Sequence, residues 1–196
     1  SSEERLAYLA LALTNGIGHA RLTQLKRFFG TWTGALEAPV ALLRSVPAMN
    51  RAAATAVASG NLVVAERAVR DLEQLGGFLL TPWDSDYPPD LPHIADPPPV
   101  LFGAGRRELL SRPSVAVVGT RHPSSYGVEV TRQVARSAAK AEIVVVSGMA
   151  RGLDAVAHWA ALEAEGDTVG VLGNGLDVIY PAANRALYQR VVRDGL

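Results

Sequence analysis

The chain has 196 residues, 48% of them hydrophobic, enough for one large domain or two small ones. It has no Cys, which excludes a disulfide scaffold and thiolate metal sites and fits a reducing, intracellular setting. Net charge is zero, so bulk electrostatics point to no nucleic-acid partner, and no apolar run approaches the ~18–20 residues of a membrane span.

The opening Ser1-Ser2-Glu3-Glu4-Arg5 has no basic start followed by an apolar core, so no signal peptide is visible and a cytoplasmic protein without a membrane partner is expected. Lys26 and Lys140 are the lysines; the other seventeen cations are Arg. Arg suits bidentate phosphate contacts and base stacking, and a GC-rich coding bias explains the same usage.

Residues 1–76 read as helical throughout. Ser1 and Glu4 have capping-box spacing, and Leu6, Leu9 and Leu13 follow on one face. After a turn at Asn15-Gly16, Leu22, Leu25 and Phe29 share the face of a second helix, closed by Gly30. Shorter helices are expected around 39–45 and 50–59. A longer one starts at Asn61, turns Leu62, Ala65, Val69 and Leu72 inward, and stops at Gly76-Gly77.

From residue 77 the texture changes. Phe78-Leu79-Leu80 reads as a short strand, and the stretch Pro82–Pro99 then holds more than half of the twelve prolines. Such a segment is not helical. It is either a flexible linker or, given Trp83, Tyr87, Leu91 and Ile94, an extended piece packed on something.

The remainder alternates strand and helix. Strands are expected at Val115–Val118, Ile143–Val146 and Thr168–Leu172, with helices over about 126–140, 153–165 and 183–194. Val130, Val134 and Ala138 mark the inward stripe of the first. Apolar β-branched strands alternating with helices predict an α/β fold, a Rossmann-like parallel sheet buried on both faces, following a small all-helical domain. The domain boundary is placed at 76/77.

In a parallel sheet every strand end lies on one edge, where ligands bind. Three segments reach it: Gly119-Thr120-Arg121 with Ser124–Gly127, Ser147-Gly148 running to Arg151-Gly152 and Asp154, and Gly173-Asn174-Gly175-Leu176-Asp177. Glycine permits close backbone approach, helix N-termini offer N–H groups to anions, and Arg121 and Arg151 add fixed charge. The first turn lacks G-x-G-x-x-G and the second strand lacks a terminal acid, which disfavours a nicotinamide cofactor; no P-loop occurs either. Asp154 and His158 stand at i, i+4. With no Cys and no second His at ligand spacing, they suit bracing of the glycine loop better than a metal.

Val117-Val118-Gly119-Thr120-Arg121, Ser125-Tyr126-Gly127, Val146–Asp154 with His158, and Val171–Asp177 with Tyr180-Pro181 resemble, in that order, the DprA (Smf) DNA-processing family. Tyr87-Pro88 and Asp96–Gly103 resemble that family's lead-in. The resemblance implies a non-enzymatic protein of natural transformation, without a cofactor, that binds and protects incoming single-stranded DNA and helps to load the recombinase RecA. It also implies a homodimer formed through the Rossmann-like domain. Carried over, the DNA pocket falls at Gly119, Thr120, Arg121, Ser147 and Gly148, with Arg151 and Gly152 nearby. The family continues into a Phe-x-Arg-Arg-Asn segment that this sequence does not reach, so a C-terminally truncated sheet is expected.

Leu13–Ala20 resembles a helix-hairpin-helix turn in a domain of the sterile-alpha-motif type, in which Gly16 and Gly18 meet a phosphate. Val46–Asn50 occupies the place of a second hairpin but has no glycine. A helical module used for packing fits the same residues. The alternative function is a nucleotide enzyme related to the cytokinin-activating phosphoribohydrolases. That family's third turn carries a catalytic Glu, and none stands in Gly173–Asp177.

Overall fold

The computed structural model describes residues 2–60 and 62–196, so the cap expected at Ser1 and the helix start at Asn61 lie outside the described residues. The chain divides into two compact units, Ser1–Gln74 with Leu79–Leu101, and Leu75–Phe78 with Phe102–Leu196. No helix among the described residues is long and apolar enough to cross a membrane.

The first unit is built around α1 (Ser2–Ala12), which is buried on all sides from Ala7 to Leu11. One side of α1 sends Tyr8 and Leu11 into a cluster with Leu22, Leu25, Leu43 and Val57. The other sends Leu9 and Ala10 against Ala65. Those partners come from α2 (His19–Phe29), α4 (Val40–Leu43), α5 (Arg51–Ala58) and α6 (Leu62–Gln74). Gly30 closes α2 in the left-handed conformation (φ 74°), as its position after Phe29 predicts.

A five-residue helix, α3 (Trp32–Leu36), is not evident in the sequence. Its N-terminus is satisfied from a distance. The Glu4 carboxylate accepts hydrogen bonds from the backbone N–H of Trp32 and of Thr33, each at 2.9 Å, and Thr31 caps Gly34. The backbone bonds from Trp32 and Thr33 hold the Glu4 carboxyl down at about 2.

The proline-rich stretch folds onto these helices, so the units depart from the 76/77 boundary over residues 79–101, and also at 75–76. Trp83 packs edge-on to Tyr8 with ring centroids 4.3 Å apart. The Tyr8 hydroxyl donates to the Pro99 carbonyl at 2.7 Å, and that of Tyr87 to Pro98 at the same distance. Asp84 accepts from Thr81 and takes both terminal nitrogens of Arg5, at 2.8 and 2.9 Å. Burial alone would raise its carboxyl; these bonds outweigh it and leave it at about 2. A chain rich in Pro loses little entropy on ordering, so a few aromatic and polar anchors suffice.

The chain enters the second unit through β1 (Phe78–Leu80) and β2 (Leu101–Gly103). There β3 (Ser114–Ala116), β4 (Val144–Ser147) and β5 (Thr168–Gly170) form a parallel sheet in the order β3-β4-β5. The register pairs Ala116 with Val146 and Ser147 with Gly170. The connecting helices are α7 (Ser125–Lys140) and α8 (Leu153–Glu163), and α9 (Arg185–Asp194) follows β5. This is the expected Rossmann-like α/β architecture, preceded by a helical region. Val145 faces Ala135, Ala157 and Ala161, while Val144 faces Leu109 and Val169, the period-2 alternation of a strand with a core on each side.

Two expectations fail at the sheet's β3 side. All of β3 is exposed rather than buried on both faces. On α7 the buried face is Thr131, Ala135 and Ala138, while Val130 and Val134 are exposed. The small residues allow α7 and α8 to approach closely through Ala135, Ala138, Ala157 and Ala161, and that contact turns the larger valines outward.

The carboxyls of Glu4 and Asp84 titrate near 2 in the folded chain, against ordinary values of 4.5 and 3.8. Between those values the unfolded chain binds more protons, so stability rises with pH across that window and is lost as pH falls through it. Thermal midpoints followed by circular dichroism should therefore drop steeply between about pH 5 and pH 2. Glu4→Gln should lower the midpoint at pH 7, costing about 1–2 kcal/mol, and make the acid limb shallower. An unchanged limb would show that the α3 cap does not contribute.

Candidate functional site

At the C-terminal edge of the sheet the strand pairing runs one residue past each strand. Val117 N–H donates to the Val146 carbonyl at 2.9 Å, and Val171 N–H to that of Ser147 at 2.8 Å. Beyond these bonds the chain leaves the sheet in three loops: 118–124, 148–152 and 172–181.

The first two loops are packed backbone to backbone. Leu153 N–H, at the start of α8, donates to the Thr120 carbonyl at 3.2 Å. Gly152, the residue before α8, has φ 83°, and a Cβ there would run into the Thr120 carbonyl and the Arg121 backbone. A Cβ on Gly119 would meet the Leu153 side chain at 2.5 Å. Glycine is required at 152 by conformation and close approach together, and at 119 by close approach alone. Gly119, Thr120, Arg121, Gly148 and Arg151 are exposed.

Ser147 behaves differently from its neighbours. It is buried, and its hydroxyl donates to the Val117 carbonyl at 2.6 Å, tying the ends of β3 and β4 together. Gly148 presents the surface at that point.

Beneath the second loop lies Asp154, buried on the first turn of α8. Its Oδ2 accepts from the N–H of Gly148 at 3.2 Å and of Ala150 at 3.4 Å, so these two amides are committed to the loop's own shape. His158 faces away from the loop. Its Nδ1 lies 2.7 Å from the Thr168 hydroxyl, which itself donates to the Val145 carbonyl, so the imidazole is the donor there. Burial pushes the His158 pKa down to about 4 against the opposing pull of Asp154, keeping the ring neutral at pH 7. Of the pair expected to brace the loop, Asp154 contacts it and His158 joins α8 to β5 and β4.

By contrast, the N–H groups of Gly119, Thr120 and Arg121 have no acceptor among the described residues, and neither Arg121 nor Arg151 forms an ion pair there. The loops at this edge carry free N–H donors and two guanidinium groups without an ion pair among the described residues, the ingredients of an oxyanion site. A carboxylate or phosphate ester fits it; a cation does not.

The family model described as DNA recombination-mediator protein A matches residues 78–196. The chain belongs to that family. The Smf protein of Synechocystis is 35% identical over 201 residues, an alignment covering all of this chain and 50% of the relative. The X-ray structure of DNA processing protein A (DprA) from Streptococcus pneumoniae superposes with a TM-score of 0.75 at 29% identity, over 96% of this chain and 65% of that one. The Helicobacter pylori DprA, whose structure is described for its single-stranded DNA binding mode, gives 0.52 at 34% identity, over 60% of this chain and 52% of that one. The chain thus spans about half the length of the Smf relative.

Gly16 and Gly18, the glycines of the expected helix-hairpin-helix turn, lie in the first unit. Gly16 has φ 78° and its carbonyl accepts from Arg21, whose Nε donates to Ala48 at 3.0 Å. Gly18 precedes α2 with no side-chain cap and open space around its Cα. The second turn, which lacks glycine, is held in the left-handed conformation by Ala48 (φ 65°).

One residue at the edge escaped the sequence reading. Asn184 donates its side-chain amide to the Met149 and Ala150 carbonyls, at 2.8 and 3.2 Å. An Asn shortly after Tyr180-Pro181 reads as a helix cap, and its actual target lies more than thirty residues away.

Gly152→Ala should cost about 2 kcal/mol or more, read from urea unfolding of the chain. Wild-type stability in that variant would mean that the first two loops are not locked together as described.

Proposed function

We propose that this chain binds the sugar-phosphate backbone of single-stranded DNA at the strand-end edge. It would do so as part of a recombination mediator in natural transformation that protects incoming strands and helps to load RecA. What carries the reading is the pairing of open N–H groups at Gly119, Thr120 and Arg121 with the free guanidinium groups of Arg121 and Arg151. The single-stranded DNA binding named for the Helicobacter pylori relative supports it.

Phosphate oxygens would take the open amides of 119–121, with Arg121 as the main charge and Arg151 as the second. Gly148 would act by leaving room, since its amide belongs to Asp154. Gly152 lets the two loops touch, and Ser147 fixes the strand ends behind them. Backbone contacts of this kind hold a strand without reading its sequence. The protein would work in the cytoplasm, without a cofactor, as a homodimer through the Rossmann-like unit. Gly16 and Gly18 offer a separate phosphate contact in the helical unit.

Catalysis on a free nucleotide finds less support. His158 is fully buried and Asp154 is bonded to backbone amides, so neither stands ready at the surface to move a proton.

Arg121→Ala should weaken binding to oligo-dT at low salt by about tenfold. It should also reduce the slope of log K against log salt by about 0.7, the signature of one lost phosphate contact. Calorimetry with AMP in place of the oligonucleotide should show little heat. Unchanged oligo-dT affinity in the variant, or AMP bound in preference to the oligonucleotide, would overturn the assignment.

A further inference from the structure

The loop 148–152 is held on both sides of its backbone. Its amides at Gly148 and Ala150 go to Asp154, and its carbonyls at Met149 and Ala150 go to Asn184. Met149 has φ 60°, a left-handed conformation that a residue with a Cβ holds only when its surroundings enforce it. The Met149 side chain is buried, packed so closely on β5 that a Cβ on Gly170 would lie 2.9 Å from its sulfur. Arg151, two residues on from Met149, is exposed and without an ion pair among the described residues.

Asn184 stands immediately before α9, where an Asn side chain ordinarily caps its own helix. It makes no such bond. Its amide crosses instead to a loop 34 and 35 positions earlier in the chain. The position of Asn184 is fixed in turn by the turn Ala182–Asn184, whose last N–H bonds the Pro181 carbonyl, and by Tyr188, which donates to the Tyr180 carbonyl at 2.8 Å.

The geometry points to Asn184 as a positioning residue for the anion-binding edge: by holding the Met149 and Ala150 carbonyls, it sets the loop that carries Arg151. A carbonyl oxygen is the negative end of its dipole, and two of them turned toward an incoming phosphate would repel it. Tying both to one amide keeps that charge off the edge and leaves the guanidinium as the loop's contribution. Asn184 touches no ligand in this scheme; it acts through Arg151. The inference rests on the single-stranded DNA reading above and deepens it.

Asn184→Asp replaces the donor with a carboxylate that faces two carbonyls. Two measurements on the chain decide the matter. Tryptic cleavage after Arg151, followed as the 1–151 fragment by mass spectrometry, should speed up about tenfold while the thermal transition stays cooperative. Affinity for oligo-dT should fall by about tenfold, with the slope of log K against log salt reduced by about 0.7 as the Arg151 contact is lost, and this loss should vanish in an Arg151→Ala background. If the Asp variant does not fold, Asn184→Ser, which keeps one donor on a shorter arm, gives the same comparison with a smaller effect.

Unaltered cleavage at Arg151 in a folded variant would overturn the inference, as would losses that add to those of Arg151→Ala. If the wild-type chain ignores oligo-dT, the DNA reading fails by itself. The cleavage rate then still shows whether Asn184 sets the loop.

Discussion

The Asp154 carboxylate, buried on the first turn of α8, accepts hydrogen bonds from Gly148 and Ala150, and the shape of the strand-end edge follows from that contact. A carboxylate at a helix N-terminus interacts favourably with the helix dipole, which suits Asp154 to the first turn of α8. With two amides of the second loop satisfied internally, free donors remain on the first loop, at Gly119, Thr120 and Arg121. The loop with the bulk of the glycine and arginine signal thus supplies a frame, while the neighbouring loop supplies the amides.

That division depends on a sheet that holds the loops in register. Ser147 bonds across to Val117, Leu153 bonds across to Thr120, and Gly152 lets the backbones meet. Behind them His158 bonds Thr168, which bonds Val145, a buried polar chain with each hydroxyl and N–H directed at an acceptor. The site is therefore a property of three strand ends and two helices. It is not the property of any single motif.

The helical unit obeys a comparable logic with different parts. Glu4 fills backbone donors far away in the sequence, at Trp32 and Thr33, and Asp84 fills one close by, at Thr81. Charge-assisted hydrogen bonds are stronger than neutral ones; those from the Trp32 and Thr33 backbone pull the Glu4 carboxyl well below its ordinary range, and those from Arg5 and Thr81 outweigh burial to do the same for Asp84. Arg5 adds a bidentate contact that fastens the proline-rich stretch to α1.

Much of this was legible in the residues themselves. Apolar β-branched runs ending in glycine and alternating with helices point to parallel strands, even where the strand is exposed as β3 is, and the helices start and stop within about two residues of their signals. The same runs place Gly119, Arg121, Gly148 and Arg151 on one edge, since parallel strands share a direction. What tertiary structure alone decided is which polar groups are already spoken for. Asp154 takes the amide of Gly148, the Ser147 hydroxyl turns into the sheet, Asn184 reaches back to Met149 and Ala150, and Val130 and Val134 face outward once the alanines of α7 and α8 meet. Hydrogen-bond partners distant in the chain leave no periodic trace, whereas the strand signal is local and repeats every two residues.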